Sequence, residues 1–163
     1  MKVSRKVLIG VAVIGSVVGG LAWATPIFNL TSPFLATGNH AADIESRSEY
    51  EPSEFKAFVK TEGPSTFIIQ DAAYLPGGHN GWHSHPGLIA VTVLAGSIEW
   101  FDADCKMTPY KAGDSWVEGS QVHYFRVTSA TNLHLMASYI IAKGAPPRID
   151  QPAPACAASL GLN

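Results

Sequence analysis

Residues 77–87 read GGHNGWHSHPG and hold three of the six histidines of this 163-residue chain, namely His79, His83 and His85. In an extended strand, side chains two residues apart point to the same face. His83 and His85 therefore present two imidazoles side by side, as a metal ion such as zinc, iron, copper, nickel or manganese requires. For this pair alone, two surface histidines in front of Pro86 are the alternative interpretation.

The sequence around this stretch predicts many short strands between residues 55 and 142. Its apolar or alternating runs are rich in Val, Ile, Thr, Tyr, Phe and Trp, and glycine- or proline-containing turns separate them. The runs are Phe55–Lys60, Thr66–Leu75, Leu88–Leu94, Ser97–Phe101, Ser115–Val117, Val122–Val127 and Leu133–Ala142. No helical stripe of useful length follows residue 55, so the pattern predicts an all-β sandwich or barrel.

The glycines and histidines of this region resemble the two-motif signature of the cupin superfamily. The matching positions are Gly77, His83, His85 and Gly96 in the first motif, and Gly113 and His123 in the second. The second motif departs from the pattern, because Gly119 stands at its usual proline and its spacing is one residue short. The resemblance implies a small antiparallel double-stranded β-helix, a jelly-roll barrel, over about residues 55–142. It also implies a divalent metal ion on His83, His85 and His123.

One departure from the cupin pattern concerns the ligand set. Cupins usually supply a glutamate four residues after the second histidine, and this chain has Ile89 there. The parity of Ile89 with His85 predicts that it forms an apolar wall of the metal cavity. Glu99 and Glu118 could replace the missing ligand, but solvated surface glutamates are the favoured interpretation. We therefore expect a three-histidine site, which resembles that of cupins such as thiol dioxygenases.

The remaining histidines are weaker candidates for the site. His79 lies four residues before His83 in a glycine-rich loop. There it could be a fourth ligand, a contact to a ligand residue or to the substrate, or a solvated side chain. His134 falls in a late strand and is expected to be packed or on the surface, and His40 precedes the barrel.

Composition limits the classes of function. Hydrophobic residues make up 47% of the chain and charged residues 15%, which is enough apolar material for a packed core. The formal net charge is -2, and no basic cluster recurs after residue 6, so a nucleic-acid partner has no electrostatic support.

Residues 1–24 have the pattern of a secretory signal peptide. Lys2, Arg5 and Lys6 precede an uncharged apolar run, and Ala22-Trp23-Ala24 resembles a signal-peptidase site. We expect export to the periplasm or the medium. A membrane association follows only if the segment stays uncleaved, since its apolar length is at the lower edge for a bilayer span.

The segments that flank the barrel have little regular pattern. Residues 25–54 predict a leader arm with room for one short helix, and residues 143–163 predict a proline-rich tail that runs over the surface without joining a sheet. Cys105 and Cys156 both lie in the exported part, and an even cysteine count in an oxidising compartment favours a disulfide between them.

Two functions from different classes are compatible with these features. The first is a metalloenzyme, with an oxygen-using oxidoreductase favoured, whose ion would be Fe, Mn, Zn, Ni or Cu. Its neutral ligands would leave the charge of the ion uncompensated and so favour a small anionic substrate. The second is a non-catalytic module that binds or senses a small ligand or a metal. Residues 81–87, 110–117 and 144–150 also resemble a group of small exported bacterial cupins. This resemblance implies the fold and export but indicates no reaction. A homodimer is one of the possible oligomeric states.

Overall fold

The computed structural model describes residues 25–162, which are almost entirely β-structure. The strands of this part of the chain are β1 (Phe28–Thr31), β2 (Phe34–His40), β3 (Ile44–Tyr50), β4 (Phe55–Thr61), β5 (Ser65–His79), β6 (His83–Ser84), β7 (Gly87–Ala95), β8 (Ser97–Asp102), β9 (Met107–Lys111), β10 (Ser115–Glu118), β11 (His123–Val127), β12 (Leu133–Ala142) and β13 (Ile149–Asp150). One short 3-10 helix, Ala157–Leu160, follows in the tail. Within residues 25–162, no helix has the length and hydropathy that a bilayer span needs.

A single antiparallel sheet wraps into the barrel. Its strands lie in the order β10-β7-β12-β5-β11-β6-β13, with β8 paired to β11 and β9 paired to β8. The longest ladder joins β12 to β5, from Leu133 opposite Tyr74 to Ala142 opposite Ser65. This architecture confirms the predicted all-β fold with a small antiparallel double-stranded β-helix.

The core lies inside the barrel and follows the period-2 alternation of its strands. Along β12, every second side chain from Leu133 to Ile141 is buried, and along β7 the buried side chains are Ile89, Val91 and Val93. Such alternation is typical of antiparallel sheets with one face on the core and one face toward solvent. The inner face therefore holds the main buried cluster of the described residues.

The short helix that we expected within residues 25–54 is absent from the structure. These residues form β1 and β2, which pair with β5, and β3, which pairs with β4 as a separate two-stranded sheet. The reason is that β5 is 15 residues long and pairs with β12 along one edge only. Its other edge offers backbone hydrogen-bond partners to β1 and β2, which the local sequence of residues 25–54 does not indicate. The segment boundaries at residues 54 and 142 remain a prediction.

The expectation that the tail stays outside the sheet is also wrong. Ile149 and Asp150 pair with Ser84 and His83, so β13 closes the barrel edge beside the first histidine motif. The buried Trp82 donates its indole N–H to the Leu162 carbonyl at 2.7 Å. The four prolines of the tail stand beside these two residues rather than within them, which leaves their N–H groups free for the ladder. The predicted signal peptide, residues 1–24, lies outside the described residues.

Candidate metal centre

Three strands bring the histidines of the two motifs together. His83 in β6 lies directly opposite His123 at the start of β11, and His85 follows two residues after His83 on the same face. The backbone N–H of His85 donates to the Gly119 carbonyl at 3.0 Å, which draws the end of β10 to the same place. Relative exposure is 4% for His83, 4% for His85 and 1% for His123, so the pair is not a surface pair.

A glutamate completes this cluster. Glu118, at the end of β10, is 8% exposed, and its Oε2 lies 3.3 Å from Nε2 of both His85 and His123. One donor atom from each of His83, His85, Glu118 and His123 lies within 4.8 Å of the others. Two donors that share an ion at about 2.1 Å can be at most about 4.2 Å apart, so a bound ion would draw the longest pair together by about half an ångström.

The backbone selects one tautomer for all three imidazoles. Nδ1 of His83 lies 2.9 Å from the Gly81 carbonyl, and Nδ1 of His123 lies 2.9 Å from the Gln121 carbonyl. Nδ1 of His85 lies 2.7 Å from the carbonyl of Pro147 in the tail. A carbonyl oxygen can only accept, so each Nδ1 carries the proton and each Nε2 presents a lone pair. This is the arrangement by which outer groups orient metal-ligating histidines.

The inward-facing nitrogens lack hydrogen-bond partners. Nε2 of His85 and Nε2 of His123 are buried and unpaired, although both lie within ion-pair distance of Glu118. In the neutral imidazoles both Nε2 atoms present lone pairs to a carboxylate oxygen, which is also an acceptor, so neither contact is a hydrogen bond. An unpaired buried acceptor costs about 1–3 kcal/mol. A divalent cation among these atoms would satisfy every one of them, so the donor set fits a metal ion.

Two tryptophans orient the glutamate. The indole N–H groups of Trp100 and Trp116 donate to Oε1 of Glu118 at 3.0 and 2.8 Å, which turns Oε2 toward the histidines. Burial alone would raise the pKa of Glu118, but the positive charge that His123 and His85 can carry beside it holds that pKa well below its usual value. The carboxylate is therefore ionised, as a metal ligand has to be.

Electrostatics also keep the first histidine neutral. Burial is the largest cause that lowers the pKa of His83 well below its usual value, and the nearby His123 and Arg148 add to the effect. Burial lowers the pKa of His123 as well, but Glu118 overcomes it and leaves that pKa raised. His83 is thus an uncharged nitrogen donor.

The expected three-histidine set without a carboxylate is wrong, because Glu118 takes the fourth place. Glu118 lies directly opposite Ile89 in the β10–β7 ladder, and directly opposite residues share a sheet face. The carboxylate therefore comes from β10, and not from β7, where the cupin pattern has its glutamate. Ile89 is 1% exposed in the barrel core, and it is not among the residues that line the cavities beside the histidines. Alternation was the available signal, since Trp116 and Glu118 are buried while Val117 is 66% exposed.

The other histidines lie outside the cluster. His79, considered above as a fourth ligand, ends β5 and stacks between Phe28 and Tyr124, with ring centroids 5.8 and 5.5 Å away. His134 pairs with Asp71, and His40 is exposed on β2. Of the sequence candidates, the structure brings together His83, His85 and His123.

A cavity of about 240 Å³ opens onto the cluster from inside the barrel. His83, His85 and Glu118 are among its lining residues, and β1 and β2 contribute Leu30 and Phe34 to the lining. Typical ligand pockets measure about 300–1,000 Å³, so this cavity suits a small molecule. His85, Glu118 and His123 also line a second, more open cavity.

We predict that Glu118→Gln lowers metal affinity by about a hundredfold or more, because the amide keeps the size of this ligand and loses its charge. Equilibrium dialysis with zinc measures the change. Adding Ile89→Glu to Glu118→Gln is expected to recover part of the affinity, since residue 89 lies directly opposite residue 118. Equal affinity of Glu118→Gln and the unchanged protein would remove Glu118 from the donor set.

We predict that Trp116→Phe lowers metal affinity by about tenfold, because it removes one of the two hydrogen bonds that aim Glu118. The matched control is Trp82→Phe, which removes an indole hydrogen bond to Leu162 on the far side of the strand. The same dialysis experiment serves both variants. A loss in Trp82→Phe as large as in Trp116→Phe would mean that both act only through stability.

A small antiparallel β-barrel with a buried His-Glu cluster on its inner face defines the class of this protein. Residues 71–139 match the family described as Cupin domain, a range that contains His83, His85, Glu118 and His123. This match and the barrel architecture together support the cupin superfamily for this part of the chain.

Solved structures with the same fold are distant in sequence. Peruvianin-I, a cysteine peptidase from Thevetia peruviana latex, is 17% identical with a TM-score of 0.51, and the match covers 77% of this chain and 69% of that one. The polyketide cyclase RemF from Streptomyces resistomycificus is 17% identical with a TM-score of 0.45, and the match covers 52% of this chain and 59% of RemF. A conserved Klebsiella pneumoniae protein with a double-stranded β-helix domain is 21% identical, with a TM-score of 0.43 and coverage of 68% and 85%. No curated protein sequence matches this chain. The Peruvianin-I likeness supports the fold alone.

Proposed function

We propose that this protein is an exported metalloenzyme that acts on a small molecule in its barrel cavity, with oxygen-using oxidation as the favoured chemistry. The observation that carries the proposal is the common tautomer of His83, His85 and His123, whose Nε2 atoms converge with Oε2 of Glu118 beside that cavity. A site built only for stability would pair these atoms with each other. Here they face a common point and two of them have no hydrogen-bond partner.

The four side chains His83, His85, Glu118 and His123 would hold the ion. When bound, a divalent metal in such a set supplies Lewis-acid polarisation of a substrate oxygen and, if redox-active, electron exchange with O₂. With Glu118 among the donors, the likeness to three-histidine thiol dioxygenases no longer guides the choice of substrate. Iron and manganese are the ions to test first, because imidazole and carboxylate together suit both.

The cavity contains a hydroxyl suited to substrate oxygen atoms. The ring of Tyr139 lies 5.8 Å from that of His85, and its hydroxyl donates to Oε1 of Gln70. Burial raises the pKa of Tyr139, Glu118 adds to the effect and Arg148 opposes it. The hydroxyl therefore stays protonated at neutral pH and can donate to a bound oxygen in place of Gln70.

Export is the part of the proposal that rests on the amino terminus. The disulfide between Cys105 and Cys156 in the structure supports an oxidising compartment. We predict that protein isolated from its native compartment begins at Thr25, because the small-x-small pattern ends at Ala24. Intact-mass measurement checks this, and a mass that includes residues 1–24 would indicate an uncleaved anchor.

The experiment that tests the function joins elemental analysis to an oxygen-uptake screen. Protein purified from its native compartment is analysed for metals and then offered small carboxylic acids, alcohols and thiols while oxygen is followed. Bound iron or manganese with substrate-dependent uptake is the expected result. An inert zinc site without uptake would favour the binding or sensing module instead.

A further inference from the structure

An arginine from the tail reaches the cavity beside the metal centre. Arg148 lines the same cavity as His83 and Glu118, and its side chain is only 20% exposed. Its Nε donates to Oδ1 of Asp150, but its Nη2 is buried without a hydrogen-bond partner. A guanidinium carries five donors in a fixed fork, and a buried donor left unpaired costs stability. No residue of the ligand set uses this group.

We propose that Arg148 is the anchor for a substrate carboxylate, so that the substrates of this cavity are small monocarboxylates with an apolar body. This inference rests on the proposed function, which places the reacting end of the substrate at the metal ion. Arg148 then indicates the chemical class of the substrate. Arg148 supplies charge and paired donors, which is the geometry that proteins use for carboxylates.

The position of Arg148 is determined by structure on both sides. The Pro147 carbonyl accepts a hydrogen bond from Nδ1 of His85, and Asp150 lies opposite His83 in the β13–β6 pair. Arg148 therefore stands between two residues that contact the histidine motif. The tail is held further along by the Cys105–Cys156 disulfide. A side chain fixed in this way loses little entropy when it binds a ligand.

The balance of charge in the cavity favours an anion. Asp150 occupies the Nε edge of the guanidinium, and its side chain is 59% exposed, so water screens it. Glu118 is turned toward the histidines. With a divalent ion in place, the ion and Arg148 carry three positive charges against the two carboxylates. A ligand with one negative charge would neutralise the cavity.

The rest of the cavity wall defines the other end of the ligand. It is mostly apolar, with Leu30, Phe34, Val91, Leu135 and Phe125 among its lining residues. A volume of about 240 Å³ and hydrocarbon walls exclude a large or highly polar acid. A compact carboxylate with an aliphatic or aromatic body would therefore fit both Arg148 and the apolar wall.

The test compares benzoate with benzamide, which have the same shape but differ in charge. Calorimetric titration measures both probes on the unchanged protein and on Arg148→Gln, Arg148→Lys and the control Arg47→Gln. Arg47 is 69% exposed on the separate β3–β4 sheet, so its variant makes the same charge change outside the cavity. Each titration is run on metal-free and zinc-loaded protein, with zinc content measured separately.

We expect Arg148→Gln to weaken benzoate binding at least about tenfold, Arg148→Lys to lose less, and Arg47→Gln to lose nothing. Benzamide binding should be equal in all four proteins, which shows that the cavity is intact. Benzoate affinity that is equal in the unchanged protein and Arg148→Gln would overturn the inference, as would an equal loss for both probes or no benzoate binding at millimolar concentration. Protein that holds no zinc but keeps Arg148-dependent benzoate binding would overturn the proposed metalloenzyme and leave the carboxylate anchor standing.

Discussion

The variant His83→Ala is expected to lose nearly all of its bound metal. His83 is 4% exposed, and it offers a neutral Nε2 whose direction is set by the Gly81 carbonyl. Changes in groups that only orient ligands typically cost about 10–100-fold in metal affinity, so the loss of a ligand should exceed about 100-fold. Elemental analysis after dialysis against micromolar zinc, iron or manganese measures the stoichiometry.

The control for this experiment is His40→Ala. His40 is exposed on β2 and lies outside the cluster, so its removal deletes an imidazole without touching the site. We expect one ion per chain in the unchanged protein and in His40→Ala, and close to none in His83→Ala. Full stoichiometry in His83→Ala would show that the cluster is not the metal site.

The second large effect is expected from removal of the disulfide. Cys105 and Cys156 are bonded in the structure, as predicted, with Cα atoms 6.2 Å apart and 51 residues of separation. For a loop of this length, the chain-entropy estimate of the stabilisation is about 4 kcal/mol. Net stabilities are roughly 5–15 kcal/mol, so the double variant Cys105→Ser/Cys156→Ser should approach the limit of folding at physiological temperature.

Urea denaturation of the mature oxidised protein, the reduced protein and the double variant measures this effect. The reduced protein and the double variant should have the same midpoint, well below that of the oxidised protein. Because the tail also carries Pro147 and Arg148, metal binding by the reduced protein should weaken along with its stability. Two reactive thiols per chain in unfolded, unreduced protein would contradict the bond itself.

Much of the barrel could be predicted from local sequence. The run Leu133–Ala142 coincides with β12, and Leu88–Leu94 and Ser97–Phe101 lie within β7 and β8. These strands are recognisable because β-branched and aromatic residues alternate within them and turns delimit them. By contrast, β9 is hard to recognise because it contains Pro109. β1 and β2 lack any clear period, and their pairing depends on the distant strand β5, which local propensity does not encode.

Some of the metal donors could also be predicted from local sequence, and others could not. The His83–His85 spacing places two imidazoles on one face, because the side-chain period of a strand is a local property of the backbone. The place of Glu118 depends on the register of β10 against β7, which sets Glu118 opposite Ile89. Register between strands is a non-local property. The parity of Ile89 with His85 therefore predicted the correct face of the sheet, but it could not show that Glu118 on the neighbouring strand supplies a carboxylate there.

The sequence by itself determined the all-β class, the histidines that could share an ion, and the cysteines available for a disulfide, because composition, period and spacing are written along the chain. Only the tertiary structure decided that Glu118 joins the histidines and that Pro147 selects the tautomer of His85. It also decided that Arg148 turns into the cavity. Apart from the pair Glu118 and His123, these contacts join residues about 30 to 65 positions apart. Their geometry arises only when the antiparallel ladders close the barrel and bring distant backbone groups within hydrogen-bond distance.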